Sequence, residues 1–251
     1  MSWQVSIDKL RELKLTGMVE ALRQSADAGT VNNLTPLELL TLVTDREWEH
    51  LQNRKAERLS KIARFRYVAS VQNVEATTER NLDRATWNRL AACDWIQRGQ
   101  NLLITGPTGA GKSYLASALG QQACRQGYRT LYHNCTKFWL NMRQARNRDR
   151  FDREIRKLSG CQLLILDDFG IQKLESQDRL TLLEILEDRW GRASTIVVSQ
   201  RPFDQWFEVM GEPTIADAIC DRLFSQAEKI ALAGASRRKT PPQLASNLPP
   251  P

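Results

Sequence analysis

The chain has 251 residues, 41% of them hydrophobic, and its 36 Lys and Arg against 29 Asp and Glu give a formal net charge of +7. This length accommodates one large or two small domains with a buried core. Five scattered cysteines without a CxxC pair, and only two histidines, His50 and His133, argue against disulfides and a zinc site and favour a reducing cytoplasm. The mixed, charged start and the lack of an apolar run of ~18 residues predict neither a signal peptide nor a membrane span.

Residues 1–70 predict a small all-helical N-terminal domain. An apolar stripe with a period of 3.6 residues predicts one helix that tolerates Gly17 and is formed by Leu10, Leu13, Val19 and Leu22. The segment 29–33 breaks this pattern. A capping box at 35–38, with Pro36 at the first helical position, then begins a second helix. The apolar stripe of that helix continues for about eight turns along Leu39, Val43, Trp48, Leu51, Leu59 and Ile62.

Residues 71–90 are polar and predict a linker leading into a second domain, so that the linker and domain together span 71–239. From about residue 76, apolar segments of strand length alternate with helical segments, which is typical of a parallel sheet covered on both faces. The expected strands are 101–105, 128–133, 162–167, 194–199 and 228–233. We therefore predict a three-layer αβα fold, followed by a Pro-rich, disordered tail at 240–251.

The stretch GPTGAGKS at 106–113 has the spacing of a phosphate-binding loop, between a predicted strand and a predicted helix at 113–127. Its glycines let backbone N–H groups approach phosphate oxygens. Lys112 adds charge for the β- and γ-phosphates, and the Ser113 hydroxyl can ligate Mg²⁺. We expect ATP and Mg²⁺ as cofactors, with the nucleotide held by Gly106, Pro107, Thr108, Gly109, Ala110, Gly111, Lys112 and Ser113.

Two further strands end in polar residues beside this loop. The sequence CQLLILDDFG at 161–170 delivers Asp167 and Asp168 at the end of an apolar strand, as a Walker B element does. We expect Asp167 to hold Mg²⁺, through water or Ser113, and Asp168 to orient or deprotonate the attacking water. The strand STIVVSQ ends in Ser199 and Gln200, and the pattern leaves open which of the two contacts the γ-phosphate or the water. We favour Ser199, with a strand-end cap as the alternative role.

The segment 213–224 predicts a helix with an apolar stripe, and Arg222 lies next to that stripe. At a subunit boundary, Arg222 would reach the γ-phosphate of a neighbouring subunit as an arginine finger. A surface salt bridge is the alternative. The residues that follow Arg222 are too few for a packed helical lid, so we expect a neighbouring subunit to cover the nucleotide.

Positive charge is concentrated in three segments, 51–70, 137–157 and 237–239. Focused positive charge favours a polyanionic partner, and nucleic acid is the usual one. Solvated helix faces are the alternative.

Several segments together resemble the IstB family of AAA+ ATPases, which are encoded with an insertion-sequence transposase and are similar to the helicase loader DnaC and the initiator DnaA. The resemblance covers nearly the whole chain and rests on GPTGAGKS, LDRATWNRLAACDWIQRGQNLLITG, LLILDDFG, STIVVSQRPFDQW, ADAICDRL and IALAGASRRK. It implies a transposition helper that binds ATP, assembles as a homo-oligomer on double-stranded DNA, deforms it and presents it to the cognate transposase. It also favours Arg222 as a finger, and it carries the arginine of a family Ser-Tyr-Arg motif onto Arg238.

The resemblance also selects candidate DNA contacts, because initiator-type AAA+ proteins place DNA-binding helices between the second strand and Walker B. The candidates there are Lys137, Arg143, Arg146 and Arg150. In the first basic segment they are Arg54, Arg58 and Lys61, for which contact with the partner protein is the alternative. A DnaC-like helicase loader acting on single-stranded DNA is the closest alternative function. A small-molecule kinase and a nucleotide-independent DNA-binding module are more distant alternatives.

Overall fold

The computed structural model describes residues 3–236, and these divide into two compact units between Leu59 and Ser60. The first unit contains helices α1 (Trp3–Glu12) and α2 (Thr16–Asp27) and most of α3 (Pro36–Ala63). The predicted capping box is present at the start of α3, where the Thr35 amide donates to Glu38 over 2.8 Å and the Glu38 amide donates to the Thr35 hydroxyl over 3.3 Å. No helix in the described part of the chain is long and apolar enough to cross a membrane.

The prediction of one continuous helix through Gly17 is wrong. The chain breaks between α1 and α2 at Lys14, whose φ of 62° is left-handed and incompatible with a continuing helix. Gly17 instead allows α2 to approach α3 closely, since an added Cβ would lie 2.5 Å from the carbonyl oxygen of Arg46. The face that α3 turns toward Gly17 therefore carries Arg46 and Glu47, and Trp48 of the predicted apolar stripe is 65% exposed.

The second unit is built on a five-stranded parallel sheet in the order β2-β3-β4-β1-β5. Its strands are β1 (Leu102–Thr105), β2 (Thr130–Asn134), β3 (Leu163–Phe169), β4 (Ser194–Ser199) and β5 (Glu228–Ala231). Its helices after α3 are α4 (Arg84–Ala91), α5 (Asp94–Gln97), α6 (Lys112–Arg125), α7 (Cys135–Asn147), α8 (Phe151–Ser159), α9 (Ser176–Arg189), α10 (Trp206–Met210) and α11 (Pro213–Phe224). Each strand overlaps its predicted segment, and the predicted α/β fold class is confirmed.

Two hydrophobic clusters cover the two faces of the sheet. Along β1, Leu102 and Ile104 belong to the cluster beneath α6, and Leu103 belongs to the cluster beneath α7 and α9. This alternation follows from the two-residue period of a strand. All three side chains are fully buried because helices lie on both faces.

The segment 71–90, predicted as a linker, packs into the cluster beneath α6 through Leu82, Trp87 and Leu90. Asp83 begins α4 by accepting the Thr86 amide hydrogen bond over 2.8 Å. The few apolar residues of the segment 71–90 are spaced too irregularly for the sequence pattern to predict that the segment is buried. After β5, the described residues up to Ser236 form no further helix. Arg238 and the predicted disordered tail, 240–251, lie outside the described residues.

Candidate nucleotide-binding site

The phosphate-binding loop connects β1 to the first turn of α6. Gly106, Gly109 and Gly111 have φ values of 144°, 87° and 91°, which only glycine adopts at no steric cost. Gly106 also lies so close to the residue after β5 that an added Cβ would be 2.4 Å from the Leu232 carbonyl oxygen. The Lys112 ammonium group donates to the carbonyl oxygens of Gly106 and Pro107 over 2.8 and 2.9 Å, so its charge lies inside the loop.

Asp167 lies at the carboxyl end of β3, fully buried beside the loop. The Ser113 hydroxyl donates to its Oδ1 over 2.9 Å, and the Tyr132 hydroxyl donates to its Oδ2. Burial, and next the negative charge of Asp167, raise the pKa of Tyr132 far above its usual range, so this phenol remains a donor. Hydroxyl and carboxylate oxygens are the ligands that Mg²⁺ prefers, so Ser113 and Asp167 fit this cation.

Asp168 has a left-handed backbone, with φ at 60°, which is uncommon for a residue with a side chain. Its Oδ2 accepts a hydrogen bond from the Asn134 amide over 2.8 Å and one from the Arg66 guanidinium over 2.9 Å. Strained backbone of this kind is concentrated at functional sites.

The structure places Gln200, rather than the expected Ser199, at the nucleotide pocket. Ser199 is fully buried, and its hydroxyl donates to the Phe169 carbonyl over 2.7 Å and accepts from the Arg201 amide over 3.1 Å. The Gln200 side chain accepts a hydrogen bond from the Thr108 hydroxyl over 2.7 Å, inside the phosphate-binding loop. Gln200 is therefore the polar group at the end of β4 that lies near the phosphate positions.

A cavity of about 330 Å³ opens beside the loop, a size suited to a nucleotide. Part of its wall comes from the segment predicted as a linker and from residues just before it. The lining residues that sequence reasoning missed are Tyr67, Asn73, Val74, Glu75, Arg80 and Tyr114. Arg80 is buried, and its guanidinium donates to the Ala110 carbonyl over 2.9 Å, so it ties this segment to the loop.

Arg222 lies beside the amino-terminal end of β1, whereas the phosphate-binding loop follows the carboxyl-terminal end of that strand. The Arg222 carbonyl oxygen accepts from Asn101 over 3.0 Å, at the amino end of β1. From Asn101 to Gly106 the strand rises by roughly 16 Å, so Arg222 is remote from the pocket of its own chain.

The Arg222 guanidinium donates to Glu187 over 3.0 Å and to Asp221 over 2.5 Å, and it lies 4.8 Å from the ring centroid of Trp190. The salt bridge considered as an alternative is therefore present within the chain. The side chain is 30% exposed, so its outer side remains accessible.

Two of the four basic candidates between β2 and β3 contact residues of the same chain. Arg143 pairs with Glu175 and lies 3.7 Å from Asp178, and the Arg146 guanidinium is 3.8 Å from the ring centroid of Phe151. Both arginines are therefore engaged within the chain.

The remaining candidate DNA contacts, like Arg146, are exposed. Lys137 lies on the outer face of α7, and Arg150 immediately precedes α8. Arg54, Arg58 and Lys61 are spaced by four and three residues along α3 and so share one face of that helix.

A parallel sheet in the order β2-β3-β4-β1-β5, with a phosphate-binding loop after β1 and an acidic pair at the end of β3, defines a P-loop ATPase fold of the AAA+ class. Within that class, the chain belongs to the family of IstB-like ATP binding proteins, whose profile matches residues 8–245.

The relatives of the chain include an insertion sequence ATP-binding protein of Sinorhizobium fredii, 44% identical over 234 residues that cover 93% of this chain and 96% of the relative. Among solved structures, DnaI aligns with a TM-score of 0.57 at 19% identity, over 69% of this chain and 93% of DnaI. The DnaC helicase loader aligns with a TM-score of 0.56 at 15% identity, over 66% of this chain and 98% of the loader. At these identities the two structures support the fold alone.

Proposed function

We propose that this protein is a Mg²⁺-dependent, DNA-stimulated ATPase that assembles on duplex DNA and serves as the helper of an insertion-sequence transposase. The observation that carries the proposal is the contact of Ser113 with Asp167 beside the phosphate-binding loop, with Asp168 held next to it. The name of its 44%-identical relative supports the link to an insertion sequence.

Different residues of the chain have different roles in the proposed ATP hydrolysis. The loop amides and Lys112 bind the phosphates. A bound Mg²⁺ would be held by Ser113 and Asp167 and would neutralise charge on the phosphate oxygens. Asp168 orients the attacking water and accepts its proton, and Gln200 hydrogen-bonds the γ-phosphate or the water.

The decisive experiment measures ATP turnover by the purified chain with Mg²⁺, alone and with duplex or single-stranded DNA. Turnover stimulated by duplex DNA of unrelated sequences supports the proposal. Stimulation by single-stranded DNA alone supports a helicase-loader function instead. Turnover stimulated by a small metabolite, with DNA inert, contradicts both functions and supports a kinase.

Asp168→Asn should leave ATP affinity unchanged and slow hydrolysis on the order of 100-fold, because the metal ligand Asp167 stays in place while the proton acceptor is lost. The assembly on DNA should consequently persist longer. Paired measurements of nucleotide affinity and steady-state turnover check this. A variant that hydrolyses ATP at the wild-type rate excludes Asp168 from catalysis.

Arg54, Arg58 and Lys61 form the exposed basic face that we assign to the DNA backbone. Replacing all three by Ala should weaken binding to unrelated duplexes equally and lower the slope of log K against log salt by about 0.9 for each DNA phosphate that is no longer neutralised. Fluorescence anisotropy across a salt series measures this slope.

A charge-matched control removes three basic residues from α1 and α2, namely Lys9, Arg11 and Arg23. The control should keep the wild-type slope. Equal slopes for the wild type and the α3 variant would show that this face of α3 is only solvated.

A further inference from the structure

Arg66 lies beside both acidic residues of the site, although it is 101 residues away from the nearer one in sequence. Its Nη1 is 2.9 Å from Oδ2 of Asp168 and 3.5 Å from Oδ2 of Asp167. The guanidinium also lies 5.5 Å from the ring centroid of Tyr67. These contacts hold an arginine against the carboxylate to which we assign the attacking water.

The contacts of Asp168 are asymmetric. Arg66 and Asn134 both donate to Oδ2, over 2.9 and 2.8 Å, whereas no donor within residues 3–236 contacts Oδ1. Two donors on one oxygen fix the rotation of the carboxylate group. They leave the second oxygen available as an acceptor, on a residue that lines the pocket.

We propose that Arg66 is a positioning residue of the ATPase, which holds Oδ2 of Asp168 so that Oδ1 receives the proton of the attacking water. The proposal rests on the ATPase function proposed above. In the step concerned, the water oxygen bonds to the γ-phosphorus, the bond from that phosphorus to the ADP oxygen breaks, and the water proton passes to Asp168. Arg66 contacts neither the water nor the phosphate in this role.

The proposal predicts that Arg66 affects the rate of ATP turnover and not the binding of the nucleotide. Arg66 does not line the pocket, whereas its neighbour Tyr67 does. Loss of the guanidinium should therefore lower kcat and leave KM and affinity for the nucleotide unchanged. Removing a residue that orients a catalytic ligand usually costs 10–100-fold in activity, and we expect about that loss in kcat for Arg66→Ala.

The experiment compares Arg66→Ala and Arg66→Lys with wild type in kcat, KM, affinity for a non-hydrolysable ATP analogue, and melting temperature. Lysine keeps a cationic donor, so Arg66→Lys should recover part of the kcat that Arg66→Ala loses. The matched control is Arg89→Ala, which removes an exposed arginine paired with Glu228 over 2.8 Å and should leave kcat unchanged. In the Asp168→Asn background, Arg66→Ala should lower kcat no further, because the group that it positions is already absent.

Three results would overturn the proposal: a wild-type kcat in Arg66→Ala, a loss of analogue affinity as large as the loss of kcat, or a full additional loss in the Asp168→Asn background. The last two would assign Arg66 to nucleotide binding or to general folding. A wild-type chain without ATP turnover would overturn the proposed function itself, and it is detected before any variant is compared.

Discussion

Lys112→Ala is expected to abolish ATP binding. The Lys112 ammonium group lies within the phosphate-binding loop, 2.8 Å from the Gly106 carbonyl and 2.9 Å from that of Pro107. A bound triphosphate would attract this cation, and alanine offers neither the charge nor the donors. Charge-assisted hydrogen bonds contribute about 1.5–3 kcal/mol each, so their removal from the phosphates should weaken affinity roughly 100-fold or more. Titration with a fluorescent ATP analogue measures the change.

A matched variant, Lys9→Ala, removes a lysine from α1 and should bind the nucleotide as the wild type does. Melting temperatures of the two variants without nucleotide distinguish a missing interaction with the ligand from a misfolded loop. If folded Lys112→Ala binds and turns over ATP normally, this loop is not the phosphate site, and the function proposed from it fails with it.

The elements that the sequence predicts well are those specified by local patterns. The phosphate-binding loop follows directly from the spacing of Gly106, Gly111 and Lys112 between a strand and a helix. Asp167 and Asp168 follow from their position at the end of an apolar run. In each case, the residues that determine the conformation are neighbours in sequence, so no knowledge of tertiary contacts is required.

The residues around the acidic pair depend on strand register and on contacts between distant segments. Asn134 lies beside the pair because β2 runs parallel to β3 with Asn134 opposite Asp167. Arg66 and Tyr132 reach it from segments with no motif of their own. Sequence periodicity gives the existence of a strand but not its register with a neighbour, so it could not find these donors.

Strand alternation along β4 distinguishes Ser199 from Gln200. Val198 packs in the cluster beneath α6, and Val197 packs in the opposite cluster. Continuing this alternation puts Ser199 on the face away from α6 and Gln200 on the side of the loop that begins α6. The basic segment 137–157 offered no comparable signal. Arg143 and Arg146 contact partners on α9 and at the start of α8, which a net-charge count does not show.

The second large effect is expected for Arg222→Ala, on the proposal that neighbouring subunits share their ATP sites. Arg222 lies at the amino end of β1, at the edge of the sheet opposite the pocket, and its side chain remains partly exposed. An arginine in this position cannot contact the pocket of its own chain. In a head-to-tail assembly, the surface of one subunit that carries Arg222 would face the pocket of the next subunit. Loss of an arginine finger lowers turnover by about 10³–10⁵-fold, so Arg222→Ala should be nearly inactive.

The salt bridge of Arg222 to Glu187 offers a control for a purely structural role. Glu187→Ala removes this partner within the chain and leaves the guanidinium in place. If Arg222 only stabilises its own subunit, Glu187→Ala should lower the melting temperature and turnover much as Arg222→Ala does. If Arg222 acts on a neighbour, Glu187→Ala should keep most of the DNA-stimulated turnover.

Mixing two inactive variants tests the shared site directly. Lys112→Ala subunits have an intact Arg222 but bind no ATP, and Arg222→Ala subunits bind ATP but lack the finger. In a one-to-one mixture, random head-to-tail assembly joins a competent pocket to a competent finger at roughly a quarter of the positions, so DNA-stimulated turnover should reach about that fraction of wild type. A mixture that co-assembles on DNA yet stays as inactive as either variant would show that Arg222 does not act across the interface. The pocket would then be completed within one chain, and Arg222 would be left with the salt bridge to Glu187.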